Sequence, residues 1–423
     1  MSLLLTLLLA AAMASCSCSS SSSSAATHRA DWLHECGWGV FTHYLPGNRD
    51  ADPVTSAAGW NAIVDSFNAT HLAEQLDSVG ACYYFITIGQ GSGWYLGPNA
   101  VYDDFAGHDP PHTSRRNLVA DIAGALKPKG IRLGVYLPYE PPWEDTNVSA
   151  RMQYREVGQL PQVSQDLLGG RFPLGRTLQN GTRGPWLPEQ YGLDDSVGAV
   201  FGHGRPYGFG TDRLVEFQTH WNAMIAGWSR LFGQDVVGWW FDGCYHSYNL
   251  HDFADDDPPN FRTFAEAARA GNPNAALAFN PGQVPWLPAL SAHQDFTAGE
   301  IGVREQFPSP NGRRFSNLNA QYHILSYLGP LWGCFEKKGG HNASCLPRFT
   351  NEELASAVRA YTADGWAITL DTPIHDNGTI YPPFLEQLRA LRNFSRRAHL
   401  KTDDSALAPW LVPLLVSLSL VFS

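Results

Sequence analysis

From residue 28 onward the chain alternates short apolar runs, rich in β-branched and aromatic residues, with longer stretches whose apolar positions recur at helical spacing. The strand-like runs are residues 38–45, 82–88, 131–137, 236–242, 276–280, 295–300, 322–328 and 366–370. Residues 295–300 have the least strand-like composition, and 322–328 also reads as a helix. Amphipathic helices are predicted over 68–79, 116–126, 211–232, 260–270, 350–362 and 383–397. Several begin at an Asn or Thr and stop at a Gly, as at Gly80 and Gly233, or before a Pro such as Pro128. Strand alternating with helix implies βα units and a parallel sheet, and eight repeats imply an α/β fold, a (β/α)8 TIM barrel.

One segment breaks the rhythm. Residues 138–210 are rich in Gly and Pro and show periodicity only around 147–157, so a long insertion is expected after the third strand, rising beside the catalytic end of the barrel. The ends differ from the middle as well. Residues 1–14 read as a signal peptide with a small-x-small cleavage site at Ala12-Met13-Ala14, although it has no basic start, and residues 15–28 as a Ser-rich tether. Residues 29–400 form the expected catalytic domain, and 401–423 a hydrophobic tail. The uncharged run 406–423 fits a lipid-anchor signal, with Asp404, Ser405 and Ala406 at its cleavage site; a tail-inserted helix is the alternative. Either way the catalytic body would face outside the cell.

Composition narrows the class. A net charge of -11 with only 16% charged residues makes nucleic acid an unsuitable partner. The 14 Trp among 12% aromatics suit a carbohydrate site. Asn-x-Ser/Thr sequons at Asn68, Asn147, Asn180, Asn342, Asn377 and Asn393 fit a secreted glycoprotein. Beyond Cys16 and Cys18 stand Cys36, Cys82, Cys244, Cys334 and Cys345; Cys334 and Cys345 enclose a short Gly-rich loop and are the best disulfide candidates, Cys244 stays free, and no cysteines have zinc-cluster spacing.

The candidate chemistry gathers at predicted strand ends. Residues 236–246 form a buried-strand run that stops at Asp242-Gly243, which would set a carboxylate among Trp239, Trp240, Phe241, Tyr245 and His246. Aromatic faces stack on sugar rings and carboxylates attack or protonate at an anomeric carbon; the plainer reading is a strand ending in a turn. The other strand ends offer His43 and Tyr44, Gln90, Tyr139 and Glu140, Asn280, Glu300, Trp332 and Asp371. Asp242, short and accessible on a strand end, is the expected nucleophile. Glu300 is the expected acid/base, its pKa raised by apolar neighbours, unless it is only the ion-pair partner of Arg304; Glu140 and Glu305 are substitutes. His43, Tyr44, Gln90, Tyr139, Trp240, Asn280 and Trp332 are the expected sugar contacts, though a strand-end His or a barrel Trp is often structural. The Gly-rich run 89–93 matches no phosphate-binding motif and reads as a tight turn.

Two stretches resemble a known family. Gly37-Trp38-Gly39-Val40-Phe41-Thr42-His43-Tyr44 resembles the first-strand motif of the α-L-fucosidases of glycoside hydrolase family 29, and Trp239-Trp240-Phe241-Asp242-Gly243 their fourth-strand motif. The resemblance covers roughly residues 30–395 and implies a barrel in which His43 binds the sugar and Asp242 is the nucleophile. Tyr44 stands where the family has Trp, residues 88–95 replace its second-strand His-His pair, and the chain would lack its C-terminal β-sandwich. The function implied is a retaining, α-L-fucosidase-like glycosidase that removes a terminal sugar from a glycan without cofactor or metal. Two other classes stay open: a non-catalytic carbohydrate-binding barrel, motivated by the missing His pair, and a metal-dependent hydrolase built on His43, Asp242 and His246.

Overall fold

A computed structural model describes residues 28–46, 54–154, 215–244, 258–280, 282, 287, 289–302, 312–315, 318–334 and 345–392. In chain order the elements are α1 (Asp31–Cys36), β1 (Trp38–Thr42), α2 (Ala57–Ser66), α3 (Ala69–Val79), β2 (Tyr83–Thr87), α4 (Ala100–Ala106), α5 (Leu118–Leu126) and β3 (Arg132–Pro138). There follow α6 (Thr146–Arg151), α7 (Val215–Phe232), β4 (Val236–Asp242), α8 (Phe261–Ala268), β5 (Ala276–Phe279), β6 (His323–Tyr327), α9 (Asn351–Ala363), β7 (Ala367–Asp371) and α10 (Pro382–Arg389). The strands make one seven-stranded sheet in the order β5-β4-β3-β2-β1-β7-β6, parallel at every pairing. It curls into a TIM-barrel-like α/β fold.

Local chemistry fixes the helix boundaries. Asn68, Asn117, Asn260 and Thr350 each accept a backbone N–H of the first turn, and α8 and α9 carry full capping boxes. The predicted helices form, α10 ending short of the expected 397. The 322–328 run is a strand.

Residues 295–300 differ from expectation, forming no regular strand. They hang between β5 and β6 by separate bonds: Asp295 N–H to Leu277 O at 2.8 Å, Thr297 N–H to Gln321 O at 2.9 Å and Ile301 N–H to Leu325 O at 2.9 Å. Side chains supply the rest. Asp295 Oδ2 accepts the Leu277 N–H at 2.9 Å and the Arg269 guanidinium at 2.5 Å, while Thr297 Oγ1 exchanges bonds with the backbone of His323. A Cβ on Gly299, at φ +66, would sit 2.0 Å from His323 O, so only glycine passes so close to β6.

Alternation along the strands divides the core in two. Trp38, Val40, Tyr84, Ile86, Val135, Leu137, Trp239 and Phe241 pack outward beneath the helices. Phe41, Tyr83, Phe85, Tyr136 and Trp240 point inward, together with Phe296, Ala298 and Leu325. Interior glycines make room for these rings: a Cβ at Gly39 would strike Tyr83, and one at Gly134 would strike Phe85. Below them α1 brings Trp32 against Tyr83 and Phe85, and a Cys36–Cys82 disulfide, not foreseen from the sequence, ties α1 to the start of β2. Cys334–Cys345 pairs as expected, and Cys244 is free and buried. Only residues 138–154 of the expected insertion are described; the leader, tether and tail lie outside the described residues. No described helix is long and apolar enough to cross a membrane.

Candidate active site

The last residue of β4 is Asp242, and its parity decides its surroundings. Trp240 and Asp242 face inward while Trp239 and Phe241 face the helices, Phe241 stacking on Phe279 at 5.5 Å. The chain then turns at Gly243, whose φ of +77 and closeness to Glu140 Oε2 favour a residue without a side chain.

Among the described residues, three donors hold the Asp242 carboxylate. Tyr136 gives its hydroxyl to Oδ2 at 2.5 Å; Oδ1 accepts the Asn280 amide at 2.7 Å and the Gly243 N–H at 2.8 Å. The second hydrogen of the Asn280 Nδ2 group goes to Glu300 Oε2 at 2.6 Å. One fully buried amide, placed by the bond from its own N–H to Phe241 O, therefore holds two half-buried carboxylates together. Gln90 extends the chain by donating to the Tyr136 oxygen at 2.9 Å. Burial, and then the adjacent Asp242 charge, push the Tyr136 phenol well above its usual pKa, so it stays a neutral donor.

A second arm reaches the cleft from β1 and β7. His43 Nδ1 is 3.0 Å from Asp371 Oδ1, and Asp371 Oδ2 accepts the Gly333 N–H at 2.8 Å. A carboxylate at Nδ1 favours the Nδ1–H tautomer and leaves Nε2 as the ring's acceptor. The His43 ring lies 5.8 Å from Tyr136 and 6.1 Å from Trp332, which joins this arm to the Asp242 cluster.

The remaining expected contacts divide. Gln90, Asn280, Trp332 and His43 line this cluster. Trp240 lies beneath it as core, stacked on Tyr136 at 5.4 Å with its indole N–H on Ala298 O at 3.0 Å. Tyr44 and Tyr139 are placed elsewhere. Tyr44 packs edge-on to Phe67 and donates to Asp376 O at 2.8 Å, while Tyr139 stacks on Phe264 at 4.3 Å in the helical layer. Both belong to the outward parity, which corrects their reading as sugar contacts. Glu140 accepts from Tyr154 at 3.2 Å on the same rim; Arg304, Glu305, Tyr245 and His246 lie outside the described residues. Tyr136 is not among the residues the sequence singles out; the signal that marks it is strand parity, because it lies two residues before the last residue of β3, Pro138, on the inward face.

Solved structures with this architecture exist. An endo-fucoidan hydrolase of glycoside hydrolase family 107, P5AFcnA, superposes with a TM-score of 0.57 at 16% identity, covering 87% of this chain and 93% of that one. A second, MfFcnA4, gives a TM-score of 0.55 at 16% identity over 86% of this chain, which spans 53% of the larger protein. The unliganded α-L-fucosidase AlfC from Lactobacillus casei gives 0.51 at 14% identity, covering 88% of this chain and 98% of that one. The fold is one that glycoside hydrolases use. No protein-family model matches the sequence. No curated protein matches it either.

Proposed function

We propose that the chain is a retaining glycoside hydrolase, α-L-fucosidase-like, built on a (β/α)8 barrel and acting on glycans outside the cell. The observation that carries this reading is the shared Asn280 amide. Bonds of 2.7 and 2.6 Å converging on one nitrogen leave Asp242 Oδ1 and Glu300 Oε2 no farther apart than the two lengths end to end. Carboxylates whose nearest oxygens share one amide nitrogen suit the close spacing of about 5–5.5 Å that double displacement uses.

In the first step Asp242 attacks the anomeric carbon as the glycosidic bond breaks, and Glu300 passes its proton to the departing oxygen. In the second, Glu300 takes a proton from water, whose oxygen displaces Asp242 and frees the sugar. The neutral Tyr136 hydroxyl and the Asn280 amide orient the attacking carboxylate, and His43, steadied by Asp371, meets a sugar hydroxyl. Fucose is favoured by the first- and fourth-strand motifs and by neighbours named for fucoidan and α-L-fucose. The exposed sequon residues Asn68, Asn147 and Asn377 and the two disulfides support a secretory route, with the tail as a lipid-anchor signal.

The test is release of nitrophenol from a panel of aryl glycosides, α-L-fucoside included, by the secreted protein and its Asp242→Asn variant. The variant is expected to lose more than about 10⁴-fold in kcat. Equal turnover by the two proteins would sink the assignment of Asp242. Sugar binding without any turnover, on aryl or natural glycans, would favour a carbohydrate-binding barrel.

A further inference from the structure

Apart from the cleft, three side chains able to ligate a metal meet where two loops join. His108 and His112 stand on the segment after α4, with Pro110 and Pro111 between them, and Asp145 caps α6. His108 Nε2 is 2.6 Å from Asp145 Oδ2, and His112 Nδ1 is 3.9 Å from the same oxygen. One donor atom from each residue lies within 4.8 Å of the other two. Asp145 is fixed from behind, because its Oδ1 accepts the Val148 N–H at 3.1 Å and so leaves Oδ2 turned toward the histidines. The His112 ring stacks on the Trp94 indole, 3.9 Å away, and on the His108 ring, 3.7 Å away, so a shared ion requires His108 to turn off that stack.

His112 Nδ1 is the telling atom. It is buried and has no hydrogen-bond partner among the described residues. A buried polar atom left so costs about 1–3 kcal/mol. If Nδ1 carries a proton, 3.9 Å is too long for a bond to Asp145; if it carries a lone pair, it faces a carboxylate oxygen with no positive charge between them. A cation between the two answers both cases. Zinc with bonds of about 2.0–2.2 Å sets tetrahedral ligands roughly 3.3 Å apart, and the separations of 2.6 and 3.9 Å lie on either side of that value.

We propose that His108, His112 and Asp145 form a three-ligand site for a zinc-class divalent cation that pins the loop after α4 to the loop after β3. Two imidazoles and one carboxylate suit zinc, cobalt or nickel rather than calcium or magnesium, which prefer all-oxygen sets. Water would complete the coordination. The site is distinct from the Asp242 cluster and does not depend on the glycosidase reading.

The test is titration of the full secreted chain, stripped with chelator, with Co²⁺ and Zn²⁺, followed by absorption, calorimetry and melting. One equivalent of Co²⁺ is expected to give visible bands that Zn²⁺ abolishes, and Zn²⁺ is expected to raise the melting midpoint. His108→Gln and His112→Gln should each raise the dissociation constant more than about a hundredfold, beyond the cost of losing a supporting residue. Asp145→Asn keeps an oxygen for the helix cap and should do the same while its circular dichroism stays that of the wild type. Failure of the folded wild type to bind either ion, or binding that survives His112→Gln, would overturn the proposal.

Discussion

The two carboxylates of the cleft sit on unlike supports. Asp242 ends a strand paired along its length to β5 on one side and to β3 on the other, where the register shifts once between Leu133 and Gly134, at the end far from the carboxylate, and the interior below it is filled by Trp240. Glu300 ends a segment with isolated bridges only, held by Asp295, Thr297 and a glycine pressed against β6. In the proposed mechanism the nucleophile must meet one carbon along one line, so a regular ladder suits it. The acid/base must serve a departing oxygen and later a water, so a less regular perch joined to Asp242 through Asn280 suits it. A regular strand fixes direction; an irregular one permits adjustment.

The comparison can be broken from either side. After the loss expected of Asp242→Asn, the next largest effect is on the Glu300 side: Glu300→Gln should slow turnover of glycosides with poor leaving groups by about 10²–10⁴-fold. Nitrophenyl substrates should instead show a rapid burst of product followed by slow release, because Asp242 still forms the covalent intermediate. A uniform loss on all substrates, without a burst, would remove the acid/base role. Next, Gly299→Ala should cost about 2–4 kcal/mol in urea unfolding, since both its backbone angle and the closeness of His323 O oppose a side chain.

The perch should also respond to acid. Burial lowers the His323 pKa from 6.5 to about 4, and the ring is bonded to Thr297 O and Thr369 Oγ1. The unfolded chain takes up this proton first as pH falls. Stability from this group should thus be full above pH 6.5 and decline toward pH 4, by about 3 kcal/mol in all. Unfolding followed across that range in wild type and His323→Gln would show whether the decline belongs to this ring.

The smallest effect concerns the regular side. Tyr136→Phe removes a donor that orients the Asp242 carboxylate, so kcat should fall about tenfold with KM little changed. An unmoved kcat would show that Tyr136 acts by packing alone.

The same contrast explains how far the sequence could be read. The regular strands announce themselves, because a stave buried on both faces must be apolar along its length, as 236–241 is. The perch does not, because its bonds come from Asp295 and Thr297 side chains, and such residues look like loop. Within the site, Asp242, Glu300, His43 and Asn280 were legible as polar residues closing apolar runs. Tyr136, one turn of the pleat below, and the outward-facing Tyr44 and Tyr139 were not, since which way a strand faces is settled by its neighbours. His108, His112 and Asp145 form no motif in the sequence, because the third residue of the proposed site stands on a different loop.

Asn280 also has a stereochemical consequence. An amide nitrogen has hydrogens to give and no lone pair with which to accept, so while Nδ2 points at Glu300 Oε2 no O–H of Glu300 can point back at it. Any proton on Glu300 therefore aims away from Asn280. In the proposed mechanism the group that holds Glu300 thus never competes with the departing oxygen for its proton.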